Sequence, residues 1–166
     1  FTLADMIILI TLLFFSFFIH TFHLAFPPSR VFDEVHFGSF TNYYIKHTYF
    51  HDIHPPLGKL ILYFTSYLAG YKGDIDFHDK NNSFANTYYF TLRQAPSSFS
   101  SLIGPIGFVS MKFFGFSTLA SFMVGIFLAT ETMMIVEGRL ILIDGFLHAF
   151  TTLTILAVSI LGSRQS

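Results

Sequence analysis

The chain has 166 residues, 52% hydrophobic and only 11% charged, with 24 phenylalanines and a formal net charge of −1. Soluble domains carry about a quarter charged residues, so this composition excludes an ordinary water-soluble fold, and the lack of any basic run excludes a nucleic-acid surface. Cysteine is absent, which removes disulfides, a thiol nucleophile and cysteine-ligated metal.

A helix crossing hydrocarbon about 30 Å thick needs roughly 20 apolar residues. Residues 4–26 meet that requirement, with no formal charge from Met6 to Phe26. A cleaved signal peptide would have a shorter apolar core behind a basic stretch. Here Asp5 precedes the run and Pro27-Pro28 ends it, which favours a span. Residues 92–112, 114–135 and 140–161 supply further apolar stretches, the middle two joined as a hairpin through Lys112 and Gly115. The fold expected is all-α and integral to a membrane, with about four spans and both ends on one side. Lys112 and Arg164 on the cytoplasmic side agree with the positive-inside tendency. The start at Phe1 and the polar ending at Ser166 read as cut ends, so the chain is expected to be the N-terminal part of a longer protein.

The connector at 27–91 holds most of the charges and histidines, and a loop of that length is usually functional. After Pro55-Pro56, the positions Leu57, Leu60, Ile61, Phe64, Tyr67 and Leu68 follow helical spacing, with Lys59, Tyr63 and Ser66 as the opposite polar stripe. Proline starts such a helix and Gly70 stops it. The helix is too short to cross a bilayer, so it is expected to lie at the interface. Phe37, Phe40 and Tyr44 predict another short helix from near Asp33. Asn81-Asn82-Ser83 is a glycosylation sequon, making Asn81 a glycan acceptor if the loop is lumenal.

Three polar clusters carry the candidate chemistry. Asp33-Glu34, followed by His36, offers one carboxylate as a base and one to hold a substrate group; an acidic pair opening a helix also serves as a cap. In His51-Asp52-Ile53-His54-Pro55-Pro56-Leu57-Gly58-Lys59, a helix N-terminus meets a lysine and a histidine, which together suit a phosphate. The plain alternative is a lysine facing water. His47, His51 and His54 raise the question of metal, but Pro55-Pro56 disfavours helix at His54 and no HExxH motif is present, so no metal site is expected. The third cluster, Arg93, Glu137, Arg139 and Asp144, lies at span boundaries, where interfacial anchoring and lipid-phosphate binding are both open. Glu131 lies deeper and needs a polar neighbour.

These residues also carry a resemblance. The runs Phe32-Asp33-Glu34-Val35-His36-Phe37-Gly38, Asp52 to Leu60 and Gly70-Tyr71-Lys72-Gly73 look like the N-terminal region of protein O-mannosyltransferases. Gly138-Arg139-Leu140-Ile141-Leu142-Ile143-Asp144 resembles a later segment of that family, with Gly138 where serine is common. The resemblance implies a GT-C glycosyltransferase of the endoplasmic reticulum membrane, multi-pass with a lumenal active site. It implies an inverting transfer from dolichyl phosphate mannose to serine or threonine hydroxyls of secretory proteins, without a cofactor, by an enzyme paired with a paralogue. Asp33 is then the base and Glu34 the acceptor contact, with His54, Lys59 and Arg93 at the donor phosphate and His36, Arg139 and Asp144 in support. Family members continue into a MIR domain and C-terminal spans that this sequence does not contain. The alternatives are a related polyprenyl-phosphate-sugar transferase with a lipid or glycan acceptor, or a non-catalytic membrane subunit.

Overall fold

The computed structural model describes residues 1–79 and 87–164; Asn81, the expected glycan acceptor, lies outside the described residues. The described residues form eight helices and no strand: α1 (Leu3–Thr21), α2 (Glu34–Ile45), α3 (Pro56–Leu68), α4 (Thr87–Ser100), α5 (Ile103–Phe113), α6 (Thr118–Thr130), α7 (Thr132–Gly138) and α8 (Asp144–Ser163). Only α1 and α8 are by themselves long and apolar enough to cross a membrane, and α6 with α7, bent by 49° at their junction, makes a third such length.

A ladder of polar contacts fixes how the long helices run. Asp5, in a capping box with Thr2 at the start of α1, pairs with Lys112 at 3.1 Å. The Ser16 hydroxyl donates to the Ser101 carbonyl at 2.6 Å, and Ser97 donates to the His20 carbonyl at 2.8 Å. Arg93 reaches the Leu24 and Pro27 carbonyls at 3.1 Å each. Residue numbers fall along one helix as they rise along the other, so α4 and α5 form a single pass antiparallel to α1. The pass is broken at Ser101-Leu102, and the sequence explains why. Pro105 has no N–H for the Ser101 carbonyl four residues before it, and Ser16 takes that carbonyl instead.

Helix α6 returns alongside α1, from Thr118, which donates to Asp5 at 2.7 Å, to Ala129, whose carbonyl meets His20 Nε2 at 3.3 Å. Helix α8 then descends beside α4 and α5. Small residues permit this close packing. A Cβ on Gly104 would lie 2.8 Å from the Gly125 carbonyl oxygen, and one on Gly145 would lie 2.6 Å from that of Pro96. The space a Cβ on Gly138 would need is filled by the Ser100 side chain. Glu131 finds its polar neighbour in the bend itself: its carboxylate accepts from the Met134 N–H at 2.8 Å and caps α7.

The boundaries differ from the expected spans for local reasons. Helix α1 ends at Thr21, before His23 turns with φ +54°. Helix α4 begins at Thr87 rather than 92, and α8 at Asp144 rather than 140, because Leu140 to Leu142 form a buried non-helical link. The two short helices stand at the end of the bundle where α1 finishes. Helix α3 runs as expected from Pro56 and is followed by Gly70 at φ +84°. Its orientation is informative. Lys59, Leu62 and Ser66 face the protein, while Leu57, Leu60, Phe64, Tyr67 and Leu68 are exposed, an apolar face turned outward as an interfacial helix requires. Residues 71–77 alternate buried and exposed, with Tyr71, Ile75 and Phe77 in the core. Asn42 ties this segment to α2, donating to the Ile75 carbonyl at 2.7 Å and accepting from the Tyr71 hydroxyl at 2.6 Å.

Candidate active site

Asp33 and Glu34 are neighbours in sequence with opposite environments. Glu34, the first residue of α2, is fully buried. Its Oε1 accepts from Arg93 Nε at 2.8 Å and the Ile141 N–H at 2.9 Å; its Oε2 accepts from Arg93 Nη2 at 2.9 Å, Tyr89 Oη at 2.5 Å and the Val31 N–H at 2.8 Å. Arg93 is buried as completely. Besides Glu34, its guanidinium reaches the Leu24, Pro27 and Ser29 carbonyls and the Tyr89 hydroxyl, and it lies 4.2 Å from the Tyr89 ring centroid. This geometry corrects two sequence expectations. Arg93 has no N–H left for a donor phosphate, and Glu34 has no face left for an acceptor. Together they clamp the 24–31 turn, α2, α4 and the Ile141 link into one unit.

Asp33 instead faces a cleft of about 570 Å³ that it shares with His54 and Asp144. The remaining walls are almost wholly apolar: Phe32, Phe37, Leu57, Ile143, Leu147 and Phe150 among them. The cleft sits where α2, α3 and α8 begin, and none of these three helices has a side-chain cap on its first N–H groups. Asp33 and Asp144 occupy the starts of α2 and α8, where the helix dipole favours a negative charge. Helix α3 has no acid in its first turn, so the Leu57 and Gly58 N–H groups there are open to an external anion. Gly58 makes this arrangement fit, since a Cβ at that position would lie 2.9 Å from Ile143 Cβ.

His54 stands on the cleft wall and is held from behind. Its Nδ1 donates to Asp52 Oδ1 at 3.0 Å, leaving Nε2 free of protein partners among the described residues. Asp52 in turn accepts from Lys59 Nζ at 2.5 Å and the Ile53 N–H at 2.8 Å, and Lys59 also donates to the His54 carbonyl at 2.9 Å. Burial works against the Asp52 charge, but the hydrogen bonds from Lys59 and His54 outweigh it and hold the carboxyl at about 2. Lys59 is 4% exposed and lies outside the cleft lining, so its ammonium serves Asp52. This revises its expected place at the phosphate.

The supporting residues divide. Asp144 lines the cleft. His36 is exposed and stacks on Phe40 with ring centroids 6.5 Å apart. Arg139 is half-buried, donates to the Ile19 carbonyl at 3.3 Å, and lies near Arg93, so it braces the bundle. His47 and His51 flank the Asp52–His54 pair, and no three His, Asp or Glu side chains gather as a cation set among the described residues. Sequence reasoning passed over Tyr89 and the bond between Asp52 and His54. The second had a signal, the two-residue spacing just ahead of a proline-started helix; the first had none.

The chain matches the family described as dolichyl-phosphate-mannose-protein mannosyltransferase over residues 10–165. It is 35% identical to dolichyl-phosphate-mannose–protein mannosyltransferase 6 of Saccharomyces cerevisiae over 139 residues, 84% of this chain and 18% of that protein. It is 39% identical to mannosyltransferase 4 of Schizosaccharomyces pombe over 142 residues, again 84% and 18%. The chain thus spans less than a fifth of the length of these curated relatives. Its structure superposes on a chain of the Saccharomyces cerevisiae protein O-mannosyltransferase Pmt1-Pmt2 complex bound to the sugar donor, with TM-score 0.90 and 33% identity, covering 95% of this chain and 22% of that one.

Proposed function

The chain belongs to the dolichyl-phosphate-mannose-protein mannosyltransferase family, and we propose that it forms the donor-binding and catalytic end of an enzyme transferring mannose from dolichyl phosphate mannose to serine and threonine hydroxyls of proteins. The observation that carries this reading is the cleft itself. Asp33, a carboxylate with no side-chain hydrogen-bond partner among the described residues, shares an apolar-walled space with His54 and the uncapped start of α3.

Asp33 takes the proton of the acceptor hydroxyl as its oxygen bonds to the anomeric carbon. The bond from that carbon to the lipid phosphate breaks with its electron pair passing to the phosphate. The leaving anion is met by the Leu57 and Gly58 N–H groups and, in the doubly protonated imidazolium that keeps Nδ1–H on Asp52, by His54 Nε2–H. Asp144, across the cleft, is placed to hold hydroxyls of the sugar. The apolar walls from α3 and α8 suit the isoprenoid chain, which reaches the cleft from the lipid side of α3. In this reading four membrane passes run along α1, along α4 with α5, along α6 with α7, and along α8. The cleft end then faces the lumen of the endoplasmic reticulum. A paralogous partner is supported by the solved relative, which is a complex of two such proteins.

The test uses the complete protein in microsomes supplied with radiolabelled dolichyl phosphate mannose and a serine/threonine-rich peptide. Wild type transfers label; Asp33→Asn, at equal expression, loses transfer by about two to four orders of magnitude. Wild-type turnover by Asp33→Asn removes the proposed base.

A further inference from the structure

A second cavity of about 420 Å³ lies beside the cleft, and His54 belongs to the walls of both. We propose that this groove binds the polypeptide flanking the acceptor hydroxyl; the inference rests on the transfer reaction proposed above and names where its second substrate lies.

The groove and the cleft occupy opposite flanks of the start of α3: Leu57 and Gly58 line the cleft, Pro56 and Lys59 the groove. Their linings differ in kind. The cleft is walled by aliphatic and phenyl side chains suited to a lipid. The groove is lined by tyrosines, histidines and one phenylalanine, Phe50. That ring is held rigidly, stacked on Phe40 with centroids 4.9 Å apart and planes at 13°, with Tyr44 edge-on at 5.1 Å. Such a floor is formed before any ligand arrives, so binding orders little.

Charge narrows the ligand. Among the described residues, the ammonium and carboxylate that line the groove, Lys59 and Asp52, satisfy one another, so neither is left to select a charged partner. What remains are flat rings with polar edges, which bury apolar surface while meeting amide groups, the pattern of surfaces that bind extended peptide. At the rim, Tyr49 is 90% exposed. It holds no other element of the described structure in place, yet it lines the same groove as His54, the histidine shared with the reaction cleft. A polypeptide laid across Tyr49, His51 and Phe50 delivers a hydroxyl past His54 toward Asp33, while the lipid donor occupies the other flank.

The complete protein with Tyr49→Ala or His51→Ala tests this by steady-state kinetics against peptide and dolichyl phosphate mannose. Both side chains are exposed, so folding is not at stake. The acceptor KM rises roughly two- to tenfold for each ring removed, the donor KM stays within twofold, and a serine-to-alanine peptide loses inhibitory potency in parallel. An unchanged acceptor KM in the double variant overturns the proposal, as does a matching rise in donor KM, which would make this rim a lipid contact. Should the wild type transfer no mannose, the reaction reading fails instead, and fluorescence anisotropy of labelled peptide on wild type and the double variant still decides the groove.

Discussion

Replacing Glu34 by glutamine tests whether the Glu34–Arg93 pair is structural. The carboxylate accepts from two donors at Oε1 and three at Oε2. An amide presents one oxygen and one NH2, so whichever way it turns, its NH2 faces at least two N–H donors that cannot accept. The Arg93 charge, fully buried, also loses its counter-ion. Breaking one side of a buried pair costs about 3–5 kcal/mol. Arg93→Met alone falls in the same range, because Glu34 is then left charged among neutral donors. Removing both is expected to cost less than the sum by about 1–3 kcal/mol, the coupling of two residues in one network. The assay is thermal inactivation and unfolding of the complete protein in detergent, for wild type, Glu34→Gln, Arg93→Met and the double variant, alongside donor KM for whatever fraction folds. If Arg93→Met keeps wild-type stability and only weakens donor binding, Arg93 is a phosphate ligand and the clamp argument is refuted.

Asp52 and Lys59 act on the reaction only through His54, so Asp52→Asn and Lys59→Met should each lower kcat/KM for donor by about 10- to 100-fold, and the double variant should be no worse than the poorer single. The Asp52 carboxyl titrates at about 2, against an ordinary value of 3.8. Its contribution is therefore complete above about pH 4 and is lost only as pH falls from there toward 2, so an activity loss between pH 7 and 5 that vanishes in Asp52→Asn contradicts the pairing. Gly58→Ala places a methyl against Ile143 and should raise donor KM by about tenfold through displacement of the α3 start, at a stability cost of about 1–3 kcal/mol; unchanged donor KM would show that α3 does not bind the phosphate.

Helix content and the ends of α3 were legible because they depend on local chemistry. A proline start, a glycine stop and three-four spacing act within one turn, and the structure keeps all three. The breaks inside the long apolar runs were less legible. A bend at Glu131 and a gap at Ser101 each depend on a partner elsewhere, the Met134 N–H in one case and the Ser16 hydroxyl in the other. Within the site, the residue types were readable and their alliances were not. Arg93 and Glu34 are 59 positions apart, and no periodicity connects them. Adjacent acids in sequence looked like two parts of one active site, but consecutive helical positions differ by about 100°. One of them points into the cleft lining and the other into the core.

With both strong cations engaged elsewhere, the cleft would hold an anion by other means. The two strongest cations expected there, Arg93 and Lys59, are committed to Glu34 and Asp52. What remains is one imidazole and three helix starts. An N-terminus contributes about 0.3–1 kcal/mol to a nearby negative charge in the open, and up to about 2 kcal/mol when partly buried. Two of the three starts already carry Asp33 and Asp144, so their free N–H groups face a carboxylate of the protein itself. Only α3 begins without an acid, and it begins with prolines that set its first turn in place. A lipid phosphate bound there meets dipoles rather than a fixed full charge. Such a site holds donor less tightly than an arginine would, but it also releases the lipid phosphate product more readily. Under the transfer proposed above, that balance suits a donor that is itself a bilayer lipid.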